Sequence, residues 1–277
     1  MSSIASVTHN STGDDRTVAT CQLHRKALFL IDQSALTKAI SERSYDLLKA
    51  YNRINALTCC KSAEHGWLGA SYSCMEILTV FSLILQIPNV ILAKGHAAAG
   101  QYAVLYAAGQ LKAEDLKNYK NGLCGLEAHA DLVMDTGSLG QCLSSVAGMA
   151  TVNKAERYVV ILGDGEMQEG QIYESLMTIK KYNLTNIIPI VDQNGFQSDN
   201  VVDEIMPINN LEAILKGFGF EVINVNGHNE EQLLDAYSQI VQSKKLTVIL
   251  ATTVKAGGSK YLSPSTHPVT GMEYHVS

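Results

Sequence analysis

The sequence contains no run of basic residues, no Cys-x-x-Cys pair, no internal repeat and no low-complexity block or linker. Each absence removes a class of function. Without a basic face, and with a formal net charge of -6, the chain has no means of displacing counterions from nucleic acid, so a nucleic-acid partner is excluded. Six cysteines (Cys21, Cys59, Cys60, Cys74, Cys124, Cys142) without zinc or redox spacing, mostly inside apolar segments, read as reduced buried thiols of a cytoplasmic protein. The polar N-terminus lacks the apolar core of a secretory signal, and residues 1–25 read as a flexible tail. The longest apolar run, "MEILTVFSLILQIPNVILA" from Met75, contains Glu76 and Gln86 and is broken by Pro88. It reads as a buried core helix, so no membrane span is expected. Scarcity of charge (17%) against 46% hydrophobic residues excludes wholesale disorder.

What is present is a change of texture midway. Apolar residues at helical spacing (Leu36, Ile40, Leu47, Leu48, Tyr51, Ile54, Leu57) predict one long amphipathic helix over 35–63, with further helices at 73–86, 96–109, 112–120 and 138–154. From Arg157 onward, short Val/Ile-rich runs alternate with helical patterns. Strands are predicted at "RYVVILGD", "NIIPIVDQN", "GFEVINV" and "LTVILATT", with helices at 168–182, 209–217 and 229–243 between them. That alternation implies an α/β domain over 26–277, a parallel sheet with helices on both faces. Pro189 must occupy a place in its strand where a missing N–H is tolerated.

The stretch that carries chemistry is "GDGEMQEGQ", residues 163–171. Its glycines are suited to close backbone approach to a phosphate, yet Asp164, Glu166 and Glu169 are acidic. It lacks the GK[ST] of a P-loop and the spacing of a dinucleotide fingerprint. In a parallel sheet, ligands bind beyond the carboxyl ends of the strands, and one helical crossover puts Asp164 and Asn194 on the same sheet edge. A hard cation reconciles acid with phosphate: Mg²⁺ takes oxygen ligands and bridges protein to phosphate. An acidic surface turn is the alternative on these residues alone.

"GDGEMQEGQ", followed at strand-helix-strand distance by "VDQNGFQ", resembles the thiamine diphosphate motif of transketolases. "AKGHAAAGQYAVLYA" and "TGSLGQCLSSVAGMA" resemble that family's preceding segments, so the similarity runs across roughly 35–265. The resemblance implies the thiamine diphosphate-binding fold, with thiamine diphosphate and Mg²⁺ as cofactors. It implies Asp164, Asn194 and the carbonyl of Phe196 as metal ligands. Around the cofactor it implies Gly163, Gly165 (N–H toward the diphosphate), Glu166, Ser138, Leu139, Glu169, His65 and Trp67. Glu169 and Glu174 match acidic positions near the family's dimer contact. His96, His129 and His267 are implied as catalytic, gripping sugar or diphosphate, with Thr270 the alternative to His267.

The sequence also departs from the family. Trp67 stands where a sugar-contacting histidine is expected, with His65 two positions earlier, and the segment from His129 to Thr136 is short. Indole offers one donor and a large apolar face, which implies a smaller, drier pocket. The pyrimidine-binding and C-terminal domains of full-length transketolases have no counterpart in this sequence. The expectation is therefore one subunit of a heterotetrameric transferase, completed by a second polypeptide carrying those domains, that moves a two-carbon ketol unit from a ketose to an acceptor. Two alternatives remain: transfer to a thiol on an acyl carrier protein or lipoyl group, as in 2-oxo acid dehydrogenases, and a non-catalytic scaffold.

Overall fold

Four short strands assemble because their Val/Ile/Leu runs have no polar face to turn to water, and a fifth, Glu221–Asn226, joins at the edge with its polar residues exposed. The structure, a computed structural model, describes residues 28–64, 66–119, 133–197 and 200–259. Strands β1 (Asn89–Leu92), β2 (Tyr158–Gly163), β3 (Ile187–Gln193), β4 (Glu221–Asn226) and β5 (Thr247–Thr252) form one sheet in the order β1-β2-β3-β5-β4, with every pair parallel. Alternate residues feed two cores. Val159, Ile161, Ile188, Ile190 and Ile249 face one, while Val160, Leu162, Ile187, Val191, Val248 and Leu250 face the other. Each such side chain contributes ~1.5–3 kcal/mol by leaving water.

The first core is covered by α1 (Gln33–Ser41), α2 (Tyr45–Ala63), α3 (Leu68–Ser73), α4 (Met75–Leu78), α5 (Ala98–Ala107), α6 (Ala113–Lys117) and α11 (Glu230–Ser243). The second is covered by α7 (Gln141–Val152), α8 (Gly170–Tyr182) and α10 (Leu211–Gly217). A one-turn helix, α9 (Val202–Ile205), follows β3. The chain steps from β2 to β3 through α8 on one face, then back from β4 to β5 through α11 on the other. Opposite direction with opposite face keeps both crossovers of one hand.

The expected α/β architecture and the four later strands are present, with two local differences. The helix expected over 35–63 is two helices. Arg43 adopts φ 51°, and the Ser44 N–H turns back to the Ala39 carbonyl. Apolar spacing continues through this break, so periodicity does not register it. The apolar run from Met75 is likewise not one helix: α4 passes into a π-helical turn, Thr79–Ile84, and Pro88 precedes β1. Proline and the extended preference of its neighbour end the helix, and the following Val-Ile-Leu then forms a strand. Pro189 lies in the central strand, yet pairing with β5 begins only at Ile190, where the sheet widens from β2 and β3 to include β5.

At the β1 edge, the carbonyls of Val90 and Leu92 accept from Gln101 Nε2 (3.4 Å) and Thr136 Oγ1 (2.7 Å). Among the described residues, no helix is long and apolar enough to cross a membrane.

Candidate active site

The site lies where β2 and β3 end, with Gly163 opposite Asp192 in register. Just beyond β2, Asp164 caps a 3-10 turn, Gly165–Gln168. Its Oδ1 accepts from the Gly165 N–H at 2.9 Å, and its Oδ2 accepts from the Gly195 N–H at 2.6 Å. One carboxylate thus ties the tip of β2 to the loop after β3. Gly195 sits at φ +79°, a left-handed conformation in which glycine is free of Cβ strain. Burial, reinforced by the charge of Asp192, pushes the Asp164 carboxyl up to about 6 against the two backbone hydrogen bonds. Among the described residues it has no ion-pair partner.

Behind it lies a network of buried side chains that reaches half-buried Asn194. Lys94 pairs with Asp192 Oδ2, an oxygen that also accepts from Ser73 Oγ at 2.6 Å and Asn194 Nδ2 at 3.4 Å. Thr253 Oγ1 donates to Asp192 Oδ1. Burial opposes ionisation of Asp192, but the Lys94 charge and these hydrogen bonds outweigh it and hold the carboxyl below its usual range. Lys94 is held above its usual range by Asp192, again against burial. Asn194 is thereby oriented, with its Oδ1 accepting from the Phe196 N–H at 3.0 Å.

A cavity of about 240 Å³ opens over these groups. It brings together Gly163, Asp164, Gly165, Glu166, Asn194, Phe196, Leu139 and His96 from the residues singled out in the sequence. Lys94, Ala70, Gln197, Ile205 and Lys255 complete the wall. Two members also make contacts within the chain. Glu166, 1% exposed, accepts from the Gly140 N–H (2.9 Å) and the Gly163 N–H (3.3 Å), bracing the head of α7 to the end of β2. Burial pushes its carboxyl up to about 7. The Gly165 N–H, expected to face a diphosphate, donates to Asp164 instead.

Three other candidates are not among the residues lining the cavity. Trp67 is half-buried at the N-terminal end of α3, packs against the first core and is not among the side chains lining the cavity. Ser138 is exposed in the turn before α7. Glu169 is exposed at the start of α8, and a Cβ added at Gly140 would meet its Cβ at 2.7 Å. His65, His129, His267 and Thr270 fall outside the described residues.

Lys94, Asp192, Ser73, Thr253 and Lys255 carry the site without having been singled out. The usable signal was Asp192, a carboxylate inside an apolar strand run, which must be paired when buried.

Gly165 has a second constraint. A Cβ there would lie 2.8 Å from Gln197 Cγ and 2.9 Å from Cδ. Gly165→Val is expected to displace Gln197 and the loop it belongs to, weakening binding of the thiamine diphosphate that the sequence resemblance implies about tenfold or more while the circular dichroism spectrum stays native. Unchanged affinity in calorimetry would show that the loop yields freely.

A family profile described as "Transketolase, thiamine diphosphate binding domain" matches residues 50–273. The 6-deoxy-6-sulfo-D-fructose transketolase subunit of Clostridium sp. (strain MSTE9) is 31% identical over 246 residues, 80% of this chain and 90% of that protein. An apulose-4-phosphate transketolase subunit from Phocaeicola vulgatus is 27% identical over 238 residues, 78% of this chain and 85% of that protein. Among solved structures, transketolase from Campylobacter jejuni aligns with a TM-score of 0.70 at 25% identity, covering 84% of this chain and 39% of that one.

Proposed function

The chain belongs to the transketolase family by its thiamine diphosphate-binding domain, and from that premise we propose that it is the diphosphate-binding subunit of a two-subunit, Mg²⁺-dependent transketolase. The observation that carries the reading is Asp164: a half-buried carboxylate, held above its usual pKa range, joining two strand ends. Its neighbours fit Mg²⁺. Asp164, the Asn194 side-chain oxygen and the Phe196 carbonyl are all hard oxygen donors. Among the described residues no cluster of three or more His, Cys, Asp or Glu could hold an ion unaided. The cation would therefore draw its remaining oxygens from a diphosphate and water.

Bound thiamine diphosphate supplies an electron sink for breaking a carbon–carbon bond beside a carbonyl. This chain's own part is to bind and orient. Asp164, Asn194 and Phe196 would hold the metal, Lys94 and Lys255 contribute positive charge to the wall, and His96 offers a ring able to donate at one nitrogen and accept at the other. His129 and His267 belong to the same proposal, as does a cytoplasmic, heterotetrameric assembly with a partner carrying the pyrimidine-binding domain. Both relatives are named as subunits and are covered over most of their length, which supports division of the enzyme between two chains. Their named substrates are sugars bearing a sulfonate or a phosphate, which favours a ketose with an anionic group as donor.

The test is to purify the chain with and without its partner and assay two-carbon transfer from ketose phosphates in the presence of thiamine diphosphate and Mg²⁺. Activity is expected only from the pair. Full activity from the isolated chain would defeat the two-subunit reading.

A further inference from the structure

Away from the cavity, on the side of α2 and α4, three titratable side chains converge on one loop. Arg53 (8% exposed) donates through Nη2 to both oxygens of Glu76 (4% exposed), at 2.7 and 2.9 Å. Through Nε it donates to the Gly257 carbonyl at 2.9 Å. His228 stands at 2.9 Å from Glu76 Oε2 through Nδ1, while its Nε2 accepts from the Val254 N–H at 2.9 Å. Because Nε2 accepts, Nδ1 carries the hydrogen and donates to Glu76. Burial works against the Glu76 charge, but the hydrogen bond from His228 and the charge of Arg53 keep it ionised below its usual range.

The loop held this way is residues 254–258, and it is pressed onto its holders. A Cβ at Gly257 would come within 2.6 Å of His228 Cε1, and one at Gly258 (φ +86°) within 2.6 Å of Arg53 Nε. Just before them Ala256 keeps φ 59°, a strained conformation for a residue with a side chain, and its N–H donates to the Gly69 carbonyl at 3.0 Å. The same loop delivers Lys255 to the opposite side. Its Nζ lines the cavity, donates to the Gln197 carbonyl at 3.1 Å and lies 5.4 Å from the centre of the Phe196 ring. A continuous path therefore runs from His228, through a strained backbone, to the loop that carries Phe196.

We propose that His228, seated between Glu76 and the Val254 N–H, is a positioning residue: it fixes Lys255 and thereby the Phe196–Gln197 wall of the cofactor cavity. This rests on the cofactor reading given above. His228 does not itself line the cavity, so its influence is on affinity for the cofactor rather than on the chemical step.

The experiment uses the assembled complex. His228→Ala is expected to raise the thiamine diphosphate dissociation constant about tenfold, as loss of an outer hydrogen-bonding partner does, while kcat at saturating cofactor stays within about twofold. His228→Gln, which keeps an acceptor near the Nε2 position, should recover most of the affinity. Lys255→Met should weaken binding, and adding His228→Ala to it should cause little further loss, because the two act in series. Hydrogen exchange should quicken at 254–257 in His228→Ala and stay unchanged in the strands.

Wild-type affinity in His228→Ala, failure of glutamine to rescue, or full additivity with Lys255→Met would each overturn the proposal. Should His228→Ala not fold, Gly257→Ala disturbs the same contact from the loop side and must reproduce the affinity loss. A wild-type complex that binds no cofactor would fail the preceding reading as well. Faster exchange at 254–257 without any affinity change would fail this one alone.

Discussion

Asp164→Ala is expected to abolish Mg²⁺-dependent thiamine diphosphate binding by the assembled complex and to lower two-carbon transfer by about a hundredfold to a thousandfold, the worth of several kcal/mol of charge stabilisation. The chain should nevertheless fold. The carboxyl, pushed up to about 6 by burial and Asp192, is by itself a poor host for charge, so deleting it removes an unfavourable ionisation along with two backbone hydrogen bonds. Asp164→Asn separates charge from shape. It keeps an acceptor for one N–H but contributes no negative charge, and binding should still be lost. Calorimetric titration with cofactor, with and without Mg²⁺, reads the result. An asparagine variant that binds as tightly as the wild type would remove the metal from the account.

Lys94→Met should produce the largest loss of stability. The lysine is the cation beside Asp192, and both are nearly inaccessible to water. Removing one member of such a pair leaves an uncompensated buried carboxylate and costs about 3–5 kcal/mol. For a chain of this size that corresponds to a fall in melting temperature on the order of 10 °C. Ser73 and Thr253 still donate to Asp192 and temper the loss without cancelling it. Lys94→Met/Asp192→Asn should melt higher than the single variant, since a neutral partner no longer requires the ammonium. Thermal denaturation of the three proteins decides the matter. A single variant within about 1 kcal/mol of wild type would mean the network is redundant.

The sequence makes the sheet legible because strands buried on both faces are continuous apolar runs, and "RYVVILGD" and "NIIPIVDQN" have nothing to confuse them with. Asp164 and Asn194 are legible as near neighbours for a related reason: crossover topology carries residues at consecutive strand ends to one edge. β1 was hidden because its Val-Ile-Leu continues an apolar run that begins as a helix, and only Pro88 marks the change. Arg43 was hidden because helical spacing is preserved on both sides of it.

The contact of Arg53, Glu76 and His228 was illegible for another cause. His228 and Glu76 are separated by 152 positions, and Arg53 lies on a third element, so no local pattern announces that they touch. The bracing contacts of Glu166 were illegible because an acidic residue in a glycine loop looks available to a ligand, whereas its two oxygens accept from Gly140 and Gly163. Trp67 shows a limit of alignment: matching a family position does not fix where a different side chain points.

The sealed margin of the sheet also has an effect on behaviour in solution. A terminal strand with unsatisfied carbonyls is an invitation to further strands, whether from misfolded copies or from fibrils. Here an amide and a hydroxyl occupy those sites at Val90 and Leu92. Backbone-templated growth is therefore discouraged along that flank, which leaves β4, at the opposite margin, as the edge where it could start.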